Sequence, residues 1–250
     1  MLGLFLIQHF KLILNTPKWW QKVLPGGIMN LLPTLALSAM LMGMVDPIVG
    51  VVLTVAGLGV FLVAWGYLYR VFIDGLNGTE ELVLYDWFSW RDYALAGFWL
   101  FLIALGYCVL AAFGLGAIIS MFGWTPSMDN PESAGPLSFL LILVMIFFYG
   151  FFPVVFTRYA AEGRLWAAFE PGPLWADLKR VVSGAYIQTC FGLFGVSMMG
   201  NLVLGFLPRV GIVFASFFWF LIMIIFSRAF GLMIRQALTP PPQSSTPYAN

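Results

Sequence analysis

The chain has 250 residues, of which 61% are hydrophobic, 18% aromatic and only 9% charged. A soluble domain carries about 25% charged residues, so most of this surface cannot face water; a soluble globular enzyme and a disordered chain are excluded. Twelve Lys+Arg against eleven Asp+Glu leave a formal net charge of +1, without the basic excess that binding to nucleic acid demands. The fold class that remains is all-α: a polytopic transmembrane bundle, integral to a membrane.

In chain order, residues 1–25 read as an interfacial amphipathic segment. Met1–Leu14 is apolar but too short to span, and it lacks the basic start and small-residue cleavage site of a secretory signal. Gln8, Lys11 and Asn15 recur at helical spacing as a narrow polar stripe. Lys18, Trp19, Trp20 and Lys22 then combine interface-seeking indoles with snorkelling ammonium groups and read as interface anchors. His9 has no Cys, Asp or Glu beside it and reads as an interfacial residue, not a metal ligand.

Residues 26–235 hold six stretches long and apolar enough to cross a bilayer: Gly26–Val45, Ile48–Tyr69, Ala94–Phe122, Leu137–Thr157, Ala185–Leu207 and Val210–Ser227. None contains Asp, Glu, Lys or Arg. Lipid offers no partner to a backbone N–H or C=O, so each is predicted to be a helix. Three turns, at Asp46-Pro47, Gly123–Pro136 and Leu207-Pro208-Arg209, group the six helices into three hairpins. Eleven basic residues fall on the side of the termini and only Arg209 on the other, so both termini are expected to be cytoplasmic. Residues 236–250 carry four prolines and no charge, and are expected to be a disordered Pro-rich tail. Cys108 and Cys190, both in apolar runs, are expected to be buried thiols acting as small apolar residues.

A repeat marks the ends of the second and fourth spans. Tyr69-Arg70-Val71-Phe72-Ile73-Asp74-Gly75 and Thr157-Arg158-Tyr159-Ala160-Ala161-Glu162-Gly163 both read Arg, three residues, an acid, then Gly. Arg and acid four apart share a helical face, so Arg70–Asp74 and Arg158–Glu162 are expected to be ion pairs. The Gly suits a left-handed helix end that turns the chain into an amphipathic segment. A functional reading has Arg70, Arg158 and Arg228 converging on an anionic headgroup or a partner's carboxylates.

These motifs carry a resemblance. Pro17-Lys18-Trp19, Gly26-Gly27, Leu31-Leu32-Pro33, Gly66-Tyr67-Leu68-Tyr69-Arg70, Glu80-Glu81-Leu82, Asp86-Trp87, Arg158-Tyr159-Ala160 and Ala168-Phe169 resemble a prokaryotic family of six-helix membrane proteins of unassigned function. That family is similar in layout to the membrane region attached to some glycerophosphodiester phosphodiesterases. The resemblance covers Phe10 to Arg235 and departs at Val83, where the family has Pro after Glu-Glu-Leu. It implies a fold and a prokaryotic inner or plasma membrane, and no activity.

Chemistry is sparse. A nucleophile–base pair needs a His beside Ser or Cys, and the only His is His9. No Cys/His/carboxylate cluster with metal spacing occurs, no Walker A loop and no dinucleotide fingerprint. No metal, no cofactor and no enzymatic activity are therefore expected. Carboxylates in the cytoplasmic loops are read as partners of the basic residues. Span three carries Ala104, Cys108, Ala112, Gly116 and Ser120 at four-residue steps, and span five Gly192, Gly195 and Gly200; both seams are expected to hold the bundle together. The expected function is an integral membrane scaffold or accessory subunit whose cytoplasmic loops dock membrane lipids or other membrane proteins. The alternative is a permease or lipid-handling transporter using Asn30, Gln188 and Asn201.

Overall fold

The computed structural model describes residues 2–79, 82–122, 135–207 and 210–239, and all of their regular structure is helical. In order these are α1 (Leu2–Asn15), α2 (Trp19–Leu41), α3 (Pro47–Asn77), α4 (Trp90–Phe122), α5 (Gly135–Glu162), α6 (Pro171–Val181), α7 (Gly184–Gly205) and α8 (Gly211–Leu238). Short 3-10 turns over Trp87–Ser89 and Leu165–Phe169 precede α4 and α6. Among the described residues five stretches are long and apolar enough to cross a membrane: α2, α3, Trp87–Met121 (nearly all of α4 with the turn before it), α7 and α8. The sixth expected span, Leu137–Thr157, falls inside α5, which is 28 residues long. The turn over 123–134, Pro208-Arg209 and the tail from 240 onward lie outside the described residues.

Sequence chemistry accounts for the helix starts. Asp46 caps α3 by accepting from the Ile48 N–H at 2.9 Å, and Pro47 needs no donor partner in the first turn. Ser183 caps α7 by accepting from the Tyr186 N–H at 3.3 Å. Between α1 and α2 the chain turns sharply at Lys18, whose φ of 54° is left-handed. The helices also run past the expected spans: α2 begins at Trp19, α3 continues to Asn77 and α8 to Leu238. Hydropathy marks the stretch that needs lipid, whereas the backbone hydrogen-bond ladder continues through charged residues beyond it.

The core has two parts joined by α8. One gathers Val23, Val63, Ala64, Tyr67, Val71, Leu84, Tyr93 and Phe220; the other gathers Phe72, Ile103, Val154, Val155, Leu174, Tyr186, Leu193 and Phe226. Of the most apolar window of α8, 61% is buried, against 11% to 24% for the other four spans, so α8 is the central post. The helices beside it approach through glycine. A Cβ on Gly75 would lie 2.7 Å from the Arg228 carbonyl oxygen and 3.1 Å from Gly231 Cα. A Cβ on Gly66 would lie 1.8 Å from the Tyr93 carbonyl oxygen. Backbones meet where no side chain intervenes, and dispersion does the work that the hydrophobic effect cannot do in lipid.

In the small-residue seam of span three, Ala104 is buried. Among the described residues nothing lies within 4 Å of a Cβ at Gly114 or Gly116, and Cys108 is exposed. Only Cys190 is a buried thiol. The α3–α4 contact instead uses the other end of α4, where Gly97 would press a Cβ to 1.8 Å from the Leu62 carbonyl oxygen.

Candidate functional site

The starts of α2, α4 and α7 and the ends of α3, α5 and α8 gather at one end of the bundle. Lys22 meets the chain after α3, Gly75 meets Gly231, Tyr186 meets Phe230, and Tyr69 lies 6.1 Å from Tyr159. Two loops cover that end, one between α3 and α4, the other between α5 and α7 with α6 inside it.

The first loop is clamped from below. Lys22 Nζ donates to the Leu84 carbonyl at 2.6 Å and lies 3.7 Å from an Asp86 carboxylate oxygen. The Trp87 indole N–H donates to the Lys22 carbonyl at 2.8 Å. Fully buried Tyr67 stacks on Trp87 with centroids 4.6 Å apart, and its hydroxyl accepts from the Tyr85 N–H at 3.1 Å. Arg228, 3% exposed, donates to the Thr79 carbonyl at 2.8 Å. The Tyr85 hydroxyl donates to Asp74, and the Arg70 guanidinium sits 5.6 Å from the Tyr85 ring centroid. Tyr85 thus stands between Arg70 and Asp74, which were expected to pair directly. Burial, and then the bond to Asp74, push the Tyr85 hydroxyl above its ordinary pKa of 10.0.

The second loop is clamped by charge. Arg158 bonds Glu162 at 2.6 Å, as its four-residue spacing predicts. It also reaches Asp177 on α6 at 3.5 Å and Glu170 at 3.9 Å. Arg164 bonds Glu162 and lies 3.7 Å from Glu170. The Arg164 hydrogen bond, aided by Arg158, holds the Glu162 carboxyl below its ordinary value. Beneath, the Tyr107 hydroxyl donates to the Ala168 carbonyl at 2.6 Å and its ring stacks on Phe169 at 5.0 Å.

The three arginines have different immediate partners, with Arg70 beside the Tyr85 ring. Arg228 is buried against the first loop, and Arg158 belongs to the second loop's cluster. Lys22 turns inward as a clamp, whereas Trp20 (53% exposed) and Lys18 stay outward. Sequence reasoning missed Tyr85, and it read Asp177 only as one of the loop carboxylates that partner basic residues, without naming Arg158. For Asp177 a signal existed: Leu174, Leu178 and Val181 recur at helical spacing, and Asp177 shares their inward face. Among the described residues no group of three His, Cys, Asp or Glu comes together as a metal site.

With the clamping charges engaged inward, aromatic side chains remain on the outside of both loops: Phe88 and Trp90 on the first, Trp166 and Trp175 on the second. Arg91 lies 5.5 Å over the Trp90 ring and Lys179 5.3 Å over the Trp175 ring.

Among the described residues, whose regular structure is all helical, five long apolar helices are compatible with an integral membrane protein. More particularly, the chain belongs to the family described as a protein of unknown function (DUF4013), whose profile matches residues 48–209. The matched stretch runs from the first turn of α3 through both loops to the end of α7, and stops short of α8. No curated protein matches the chain, and no solved structure does.

Proposed function

We propose that the protein is an integral membrane scaffold or accessory subunit whose two loops form a cytoplasmic docking face for anionic headgroups or partner proteins. In this reading α5 is the sixth span, the helices form three hairpins, and both termini are cytoplasmic. The observation that carries it is the matched pair of exposed Trp–cation contacts, Trp90 with Arg91 and Trp175 with Lys179, on loops otherwise clamped to the bundle. An indole with a neighbouring cation prefers the headgroup layer, where the ring meets apolar carbon and the charge meets phosphate or carboxylate. Rigid clamping presents these groups at low entropic cost.

The test is purification in mild detergent followed by mass spectrometry, on the wild type and on a Trp90→Ala/Trp175→Ala variant. The reading expects bound lipid or partner protein on the wild type and its loss from the variant with folding intact. A bare monomer in both, or equal co-purification in both, overturns it.

A further inference from the structure

Away from the loops, the first turns of α2 and the adjoining faces of α7 and α8 enclose a groove of about 980 Å³. Its walls are apolar side chains and glycine. On α7 they include Gly192, Gly195, Val196, Met199, Gly200 and Val203, on a single helical face. Phe214, Phe217 and Phe218 of α8 form the floor, and Trp19 and Trp20 of α2 form one end. Asn30 of α2 and Gln188 of α7 do not line it.

We propose that this groove holds the hydrocarbon of one anionic phospholipid, with its headgroup at Lys18. Location argues for lipid: α2, α7 and α8, which form the groove, are each long and apolar enough to cross a membrane, and the medium around an apolar groove between such helices is hydrocarbon. Packing agrees, because a Cβ on Gly195 would meet nothing within 4 Å among the described residues.

Charge argues for an anionic headgroup. Gly26 abuts Phe220 and Gly200 abuts Phe218, which places Trp19, seven residues before Gly26, near the Gly192 end. Lys18 adjoins Trp19 there and is exposed, as is Lys11 on α1. The first 45 residues contain three Lys and no acid, and the third, Lys22, is already bonded to Leu84 and close to Asp86. Lys18 is the one non-glycine residue with positive φ among those described, so its side chain can be removed by glycine without altering the turn. The site lies apart from the docking loops and stands without them.

The experiment uses full-length protein reconstituted in vesicles of equal parts phosphatidylglycerol and phosphatidylcholine, re-extracted in mild detergent and weighed by native mass spectrometry. The wild type should retain one phosphatidylglycerol, with about a fivefold preference over phosphatidylcholine, as one lysine near an anionic headgroup supplies. Gly195→Leu fills open space in the groove and should lose both lipids. Lys18→Gly keeps the left-handed turn, which glycine adopts freely, and should retain lipid while losing the preference. Equal retention of both lipids by the wild type, or wild-type retention by Gly195→Leu, overturns the proposal. So does a wild-type dimer that Gly195→Leu dissolves, because a second copy would then fill the groove.

Discussion

Two copies of one sequence pattern, Arg, three residues, acid, Gly, end in different structures. After α5, Glu162 is the last helical residue and Gly163 takes φ 65°, so the pattern ends the helix as its chemistry suggests. After Asp74, Gly75 stays inside α3, which runs on to Asn77, and it is Gly78, at φ 71°, that ends the helix. Gly75 is there so that α3 can touch α8 at Gly231. The acids diverge likewise: Glu162 bonds two arginines, whereas Asp74 takes the Tyr85 hydroxyl. A local pattern fixes what is sterically allowed, and the neighbouring helix decides which allowed use is taken.

The comparison breaks most visibly at the two glycines. Gly75→Ala drives a methyl to 2.7 Å from the Arg228 carbonyl oxygen, and only a shift of α3 from α8 relieves it. The expected cost is about 3 kcal/mol, at the upper end for overpacking. Gly163→Ala meets nothing within 4 Å among the described residues, so it bears only the left-handed penalty of about 1 kcal/mol. Thermal unfolding in detergent should therefore show a clearly larger loss for Gly75→Ala. Equal losses would mean that Gly75 acts through its own backbone freedom, as Gly163 does.

The next effect separates Arg158 from its acid. Arg158 holds Glu162 within its own turn but also ties α6 through Asp177, whose side chain is 16% exposed. Arg158→Ala should cost about 1–2 kcal/mol, because half-buried acids lose a charged donor. Glu162→Ala should cost less, because Arg158 keeps Asp177 and Glu170. Hydrogen exchange across α6 is the sensitive readout: faster in Arg158→Ala, near wild type in Glu162→Ala. Near-wild-type exchange across α6 in both variants would make the pair purely local.

What could be read from sequence follows range. Apolar runs mark the spans because lipid forces the backbone to bond internally. The Asp46-Pro47 turn and the Arg158–Glu162 pair are legible because cap and partner lie within four residues. Lys22 to Leu84 crosses 62 residues and Arg228 to Thr79 crosses 149, and no periodicity encodes such contacts. The span-three seam illustrates the same limit: among the described residues nothing lies within 4 Å of a Cβ at Gly116, and small residues permit close packing without naming a partner.

The smallest expected effect is a difference in pH response, and its sign is set by which proton each loop holds. Tyr85 has its pKa raised, by burial first and then by its bond to Asp74. In the unfolded chain it ionises near its ordinary 10.0, so the first loop keeps its full contribution below that pH and loses it as pH rises through the folded value. Glu162 has its pKa lowered, by Arg164 first, so the second loop keeps its contribution above the ordinary 4.5 and loses it as pH falls through the folded value. Fluorine NMR of fluorotryptophan-labelled protein separates the two, through Trp87 on the first loop and Trp166 on the second. The Trp87 signal should change above pH 10 and lose that change in Tyr85→Phe. The Trp166 signal should change below about pH 4.5, and that change should shrink in Glu162→Gln and with added salt, because the cluster is partly solvent-exposed. A Trp166 transition unaltered in Glu162→Gln would overturn the assignment to Glu162, and the second loop would then be held by Arg158 reaching across to α6 more than by the pair within its own turn.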